Sequence, residues 1–399
     1  MTPSRLHVHT PQGFAGDLVR DDAYNFTYDL NAQADTAVSL TMPPRSRSYV
    51  HASLHPVFQM NLPEGFLLER LRQQLSKTTS TDPMLLLALL GCDASIGRLR
   101  FQSPQVASTN ETAPSNGERL SNILAYQGAH GLFDSLIDRY LMRSGLSGIQ
   151  PKVLVPESTA AKATMLTSEL IVKSGLDDFP GLAINEFVCM TIVSRCGVPT
   201  PDIFLSNDRR LFVMRRFDRT SNGQALGFED MAVLAAKNAD QKYDGSYEHI
   251  AKLIAAFASP PYVSTSLAQL FDMVALSCLL GNGDAHLKNF GLLYDDADHV
   301  RLAPAFDIVN TTCYIPDDNL ALALSGNRTL LSSRQGLLDF APHCNITATQ
   351  ARKRIQHMGE VTHEVMREHA ALIGEVPKLR DALNKGLTQF EQSFGDKAR

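Results

Sequence analysis

Apolar and polar residues alternate along the first part of the chain, and the period then lengthens to three and four. Leu6-His7-Val8-His9 and Gly16-Asp17-Leu18-Val19 flank a Pro-Gln-Gly turn, and Phe26 to Leu30 and Ala37 to Met42 alternate likewise. These patterns predict half-buried strands, the last one ended by Pro43-Pro44. From Glu64 to Leu75 the leucines 67, 68, 71 and 75 share one helical face, with Arg70, Arg72 and Gln73 outside. Pro83 opens a second helix through Met84–Leu90 that stops at Gly91. Residues 1–102 therefore read as a small α+β accessory subdomain. Ser103 to Asn116 is rich in Ser, Thr, Pro and Asn without apolar period, which predicts a linker, taken as 103–119.

Beyond the linker, Lys152 to Val155 and Glu169 to Lys173 read as strands, and a helix runs from Asn185 to Gly197-Val198-Pro199. Pro201 to Leu205 and Leu211 to Met214 form a hairpin across Asn207-Asp208. This strand-rich stretch, 120–216, is followed by a mostly helical one, 217–399. In the latter, Leu267, Leu270, Phe271, Val274 and Cys278 mark a buried amphipathic helix that Gly281-Asn282-Gly283 stops.

Composition narrows the class. The chain has 399 residues, enough for two or three domains, with 44 % apolar and 20 % charged residues, as in ordinary globular proteins. A net charge of −5 and a pI near 6.2 give no global basic field, so nucleic acid is not expected as a direct ligand, although a local patch stays open. Six scattered cysteines without a C-x-x-C pair predict reduced, buried thiols in a cytoplasmic protein. The N-terminus lacks the apolar core of a signal peptide, and the longest apolar run, Met84 to Leu90, falls far short of the roughly 20 residues that cross a bilayer. A soluble protein without a membrane partner is expected. The 12 histidines form no H-x-x-x-H or H-E-x-x-H pair near the acids described next, which leaves a metal hydrolase unsupported.

Candidate chemistry concentrates in Gly281-Asn282-Gly283-Asp284-Ala285-His286-Leu287-Lys288-Asn289-Phe290. A kinase catalytic loop has the form H-R-D-x-x-x-x-N, with Asp as base and Asn on a metal. Asp284 and Asn289 keep that offset, Lys288 is placed to neutralise transferred charge, and Asn282-Gly283 stand where His-Arg would be. Asp307 interrupts the apolar, strand-like run Ala303 to Val309, as a metal-chelating acid would. The plain alternative makes Asp284 and Asn289 turn residues and Asp307 a cap. Upstream, Ser144 to Val155 holds two glycines that would let backbone N–H groups face a phosphate, without being a Walker A motif. Lys173 at a strand end and Glu186 at a helix start keep the order of a kinase lysine–glutamate pair; alone, each reads as a solvated surface charge. Arg215 to Arg219 falls where a kinase places its hinge, with Arg216 and Asp218 open to being a surface ion pair.

Ser147-Gly148-Ile149-Gln150-Pro151-Lys152, Arg216-Phe217-Asp218-Arg219, the Asp284 decapeptide and Leu302 to Asp307 together resemble the HipA family of serine/threonine kinases, the toxins of bacterial toxin–antitoxin modules. Leu54-His55-Pro56-Val57-Phe58 and Asn61-Leu62-Pro63-Glu64-Gly65 resemble the signature of that family's N-terminal subdomain, so the likeness spans nearly the whole chain. The resemblance implies an α+β, two-lobed kinase-like fold: a β-rich N-lobe and an all-helical C-lobe behind the accessory subdomain. It implies Asp284 as catalytic base with Lys288 beside it, and Mg²⁺ held by Asn289 and Asp307. It further implies ATP bound among Ser147, Gly148, Gln150, Lys152, Lys173, Glu186, Met214, Phe217 and His286. Family members inactivate themselves by phosphorylating a loop serine; Gly145 stands at one such position, leaving Ser147 the better candidate and Ser144 a poor one. A HipB-like helix-turn-helix antitoxin is the implied partner, with DNA reached only through it, and an aminoacyl-tRNA synthetase the implied class of substrate. A small-molecule phosphotransferase and a non-catalytic corepressor remain as other readings. Loss of Asp284, Asn289, Asp307 or Lys173 would mark the corepressor, and all four are present.

Overall fold

The computed structural model describes residues 2–74, 82–91, 95–104, 117–127, 131–141, 146, 150–158, 169–175, 178–296, 298–330 and 333–394. The accessory unit is an antiparallel sheet of β1 (Arg5–Thr10), β2 (Gly13–Arg20), β3 (Tyr24–Tyr28), β4 (Tyr49–His51) and β5 (Arg100–Gln102), in the order β4-β3-β2-β1-β5. Period two does its expected work here: Leu6 and Val8 of β1 are buried and His7 and His9 only partly so. Against the sheet lie α1 (Pro56–Gln59) and α3 (Pro83–Leu90), whose Val57, Phe58, Met84 and Leu87 share its core, while α2 (Gly65–Gln74) turns its leucines to the unit described next. Asp82 caps α3 by accepting from Met84 N–H, with Pro83 at its first turn.

The second unit is a four-stranded antiparallel sheet of β6 (Lys152–Pro156), β7 (Glu169–Ser174), β8 (Ile203–Leu205) and β9 (Leu211–Arg215), ordered β6-β7-β9-β8. It carries α4 (Leu120–Ala125), α5 (Gly131–Tyr140) and α6 (Leu182–Arg195). Phe133, Leu136, Ile137 and Tyr140 of α5 share a core with Val153, Val155, Leu170 and Val213, and with Leu67 and Leu71 of α2.

The last unit begins with β10 (Gly227–Asp230) and contains α7 (Met231–Leu234), α8 (Tyr247–Phe257), α9 (Pro260–Leu279), β11 (Gly291–Tyr294), β12 (Arg301–Leu302), α10 (Ser333–Phe340), α11 (Ala348–Glu368), α12 (Ala370–Ile373) and α13 (Leu379–Phe394). Helix α9 is its axis and buries Leu267, Leu270, Phe271, Val274 and Cys278, the residues whose spacing predicted it. By length and composition α9 is apolar enough to cross a membrane, but it is mostly buried inside the protein, as a core helix is. At Gly386 helix α13 comes so close to the last turn of α9 that a Cβ would collide with the Leu279 carbonyl. Cys189, Cys278, Cys313 and Cys344 are buried free thiols and Cys196 is half-buried, whereas Cys92 lies outside the described residues.

Three expectations need correction in detail. The two-lobed arrangement stands, but the C-lobe is not all-helical: β10, β11 and β12 form a small antiparallel sheet. Strands of two to four residues, β10 and β11 buried throughout, leave no period to read. Residues 37–42 form a turn with a single Ser39–Met42 bridge, because the buried Glu229 carboxylate draws in the Ser39 hydroxyl (2.6 Å) and Leu40 N–H (2.8 Å). Residues 303–309 form no strand; Ala303 N–H goes to Gly291 O and Ala305 N–H to Pro199 O, and Asp307 turns to φ 59°.

Candidate active site

A cavity of about 610 Å³ opens between the β6-β7-β9-β8 sheet, residues 214–218, the loop after α9 and the Phe306-Asp307 turn. Met60, Glu64 and Ile96 of the accessory unit close one wall. Antiparallel register puts Lys152 opposite Lys173, and Lys173 opposite Phe212, so both lysines share one end of the sheet. Lys173 Nζ donates to Glu186 Oε1 (2.5 Å) and to Asp307 Oδ1 (2.6 Å). Lys173 is 3 % exposed and Glu186 fully buried, so neither is the solvated surface charge that each would be alone. Buried charges are tolerable only when paired in this way.

The electrostatics follow from the packing. Burial alone would lower the Lys173 pKa, but Asp307 and Glu186 outweigh it and raise it above its ordinary value. Burial would raise Asp307, yet Lys173 and Lys152 hold its carboxyl well below the usual range. For Glu186 burial wins over Lys173 and the pKa rises; its second oxygen, Oε2, has no partner among the described residues. Lys152 is pushed down by burial. Asp307 sits in the left-handed region, a strained setting for a side-chain-bearing residue and one often met at functional sites.

Helix α9 ends at Leu279 with Leu280 as its cap, and Gly281 turns to φ 65°. Gly283 stands where a Cβ would collide with the Asp318 carboxylate, while its N–H donates to Thr311 Oγ1 (2.8 Å). That crowding accounts for a glycine at the position where a kinase catalytic loop carries arginine. Asp284 is then held from several sides: its N–H by Asn282 Oδ1 (3.0 Å), its carbonyl by Asn289 Nδ2 (3.0 Å), and Oδ1 by the Tyr243 hydroxyl (2.9 Å). Its half-exposed carboxyl is raised by burial and by the Asp307 charge. His286 is buried and pushed down to about 3, by burial and then by Lys242, so its imidazole is neutral near pH 7. The ring packs edge-on against Tyr243, centroids 5.2 Å apart. Lys288 Nζ donates to Glu64 Oε1 (2.5 Å).

Met214 and Phe217 both line the cavity, Phe217 packing on Phe306 and Phe228 with centroids 5.2 and 5.5 Å apart. Beside them, the surface ion pair left open for Arg216 and Asp218 is not what forms. Arg216 and Asp218 are buried, and Arg216 donates to both Asp218 oxygens (2.7 and 2.6 Å), to Glu169 (2.8 Å) and to Ser95 O (2.7 Å). Gln150 lines the cavity with its amide on Ser174 O (3.2 Å). Ser147 and Gly148 lie outside the described residues, as do Ser144 and Gly145. The cavity thus brings together Gln150, Lys152, Lys173, Met214, Phe217, Asp284, His286, Lys288, Asn289 and Asp307, with Glu186 directly behind Lys173. Spacing gave no hint of Tyr243, Glu64 or Asp230, which also line it. A carboxylate (Asp307) and the amide oxygen of Asn289, whose Nδ2 is turned to the Asp284 carbonyl, are the hard donors that Mg²⁺ takes.

Known proteins share the chain's sequence families and its fold. The family model of the HipA-like C-terminal domain matches residues 144–367, and that of the HipA N-terminal domain residues 6–102. The solved Shewanella oneidensis MR-1 HipA, from a complex with HipB and operator DNA, superposes with a TM-score of 0.72 at 17 % identity, over 98 % of this chain and 97 % of that one. Its two-lobed fold is therefore the fold of this chain. Among relatives, Sinorhizobium fredii Y4mE, named as a kinase, is 26 % identical over 393 residues, 92 % of each protein. Y4dM of the same organism, also named as a kinase, is 33 % identical over 174 residues, which span 40 % of this chain and 41 % of that protein. The C-terminal family model alone covers more than half of the sequence, and the chain belongs to the HipA-like family.

Proposed function

We propose that the protein is an ATP- and Mg²⁺-dependent serine/threonine kinase acting as a HipA-like toxin. The observation that carries this reading is Lys173 bonded at once to Glu186 and Asp307 in the cavity that Asp284 and Asn289 face. In this reading residues 1–102 are the accessory subdomain, 103–119 the linker, 120–216 the N-lobe and 217–399 the C-lobe. Lys173, positioned by Glu186, binds the nucleotide phosphates, with Lys152 and Gln150 near them. Met214 and Phe217 line the adenine end. Asp284 accepts the proton of the acceptor hydroxyl while that oxygen bonds to the γ-phosphorus and the bond to ADP breaks. Asn289 and Asp307 would hold Mg²⁺, which when bound neutralises charge on the phosphates. Lys288 stabilises transferred charge, and neutral His286 packs beside the base. Catalysis is mainly positioning and preorganised charge.

The same proposal assigns Ser147 as the inactivating autophosphorylation site, where a phosphate would add about −1.5 to −2 charge to the nucleotide loop. It takes a HipB-like antitoxin as partner, with DNA contacted only through that partner, and an aminoacyl-tRNA synthetase as the class of substrate. The test is incubation with Mg²⁺ and γ-labelled ATP, read by intact mass and peptide mapping, with Asp284→Ala in parallel. Label on Ser147 in the wild type and none in the variant is the expected result. Equal labelling of both would remove Asp284 as base, and binding of ATP without any label would favour a small-molecule acceptor.

A further inference from the structure

The run Asn61-Leu62-Pro63-Glu64-Gly65 carries a family resemblance but no part in the chemistry set out above. It is a rigid corner. Asn61 is buried and its amide donates to Val57 O (3.2 Å), Met60 is buried beside it, and Gly65 takes a left-handed φ of 50° to start α2. The corner places Glu64 in the wall of the cleft, 224 residues from Lys288 in sequence yet 2.5 Å from its Nζ. Neither side chain waves in solvent: Lys288 is 10 % and Glu64 25 % exposed. Asp230 lines the same wall and is buried, its carboxylate engaged as the cap of α7 through Val233 N–H (2.9 Å).

We propose that Glu64 is a positioning residue for phosphoryl transfer, holding the Lys288 ammonium in place from outside the two lobes. The inference rests on the kinase reading, in which Lys288 meets the transferred charge. A lysine carries its charge on a flexible four-carbon stem, so left alone it samples many positions. A charge-assisted bond to a carboxylate fixed on another unit selects one of them before substrate arrives, which is where preorganised charge gains its effect. The accessory unit is then a structural member of the active site, and its corner at 61–65 sets the geometry of the catalytic loop.

The experiment compares wild type, Glu64→Gln, Lys288→Met and the double variant. Transfer from γ-labelled ATP to dephosphorylated casein and to the chain itself is measured, together with Lys288 acetylation by sulfosuccinimidyl acetate, read by mass spectrometry. Glu64→Gln should lower kcat about tenfold with KM for ATP nearly unchanged, because the loss is in the transition state. In the Lys288→Met background the same substitution should cost nothing further, and in the otherwise native chain it should speed Lys288 acetylation. A purely structural strap would instead cost the same in both backgrounds. Additive losses, or Glu64→Gln as fast as wild type beside a slow Lys288→Met, overturn the inference and leave the kinase reading intact. Equal acetylation of Lys288 in wild type and Glu64→Gln overturns it without reference to activity. Lys288→Met as fast as wild type, or no transfer by wild type, overturns the role of Lys288 itself and the inference with it.

Discussion

Single residues in this protein are set by what neutralises them. Lys173, although almost fully buried, keeps its proton because two carboxylates share it, and Asp307 keeps its charge because two lysines face it. His55 shows the opposite case. It caps α1 by accepting from Val57 N–H at Nδ1 (3.3 Å), which requires the neutral ring, and burial pushes it down to about 4. The unfolded chain protonates near 6.5 and the folded one near 4, so this contribution is complete above 6.5 and is lost as pH falls between the two values. Up to about 3 kcal/mol is at stake by linkage. His55→Asn keeps a capping acceptor without the titration. Its melting temperature should fall less steeply than that of wild type between pH 6.5 and 4; parallel curves would clear His55 of the effect.

At the scale of elements, the loop that carries Asp284 is only as well placed as the end of α9. That end is fixed by α13, which Gly386 lets approach to backbone contact with Leu279. Gly386→Ala should force the helices apart and destabilise the protein by about 2 kcal/mol, in the range of overpacking. The measurement is a thermal or urea melt, with transfer rate as a second readout. An unchanged midpoint would show that the contact between the two helices gives way freely. Glycine normally weakens a helix, so a stabilised variant would point the same way.

The molecule as a whole is not three independent blocks. Leu226, Phe228, Val233, Leu293 and Ala303 of the C-lobe are buried in one core with Leu6, Val8, Phe26 and Phe58 of the accessory unit. Glu229 accepts from Ser39 and Leu40 N–H across the same boundary and from Tyr294 on its own side, and Arg216 and Arg219 reach Ser95 O. A chain lacking residues 1–102 should therefore expose apolar surface and strand a buried carboxylate, and lose cooperative melting. A fragment that melts sharply and stays monomeric would show that the lobes are self-sufficient.

The sequence by itself determined the elements whose period is long enough to repeat, such as α9 and β1, and the turn that ends α9 at Gly281. It also determined the candidate chemistry wherever that chemistry is written in local order: Asp284 with Asn289, and a strand lysine ahead of a helix glutamate. Periodicity states which face is buried, however, and not what that face meets. Only tertiary structure decided that residues 303–309 spend their N–H groups on Gly291 and Pro199 instead of a strand partner. It alone turned Arg216 and Asp218 from a surface pair into a buried network, and brought Tyr243 to Asp284 and Glu64 to Lys288. Those contacts join positions 41 and 224 residues apart, and contacts of that range are selected by the packing of whole units, which no local pattern encodes.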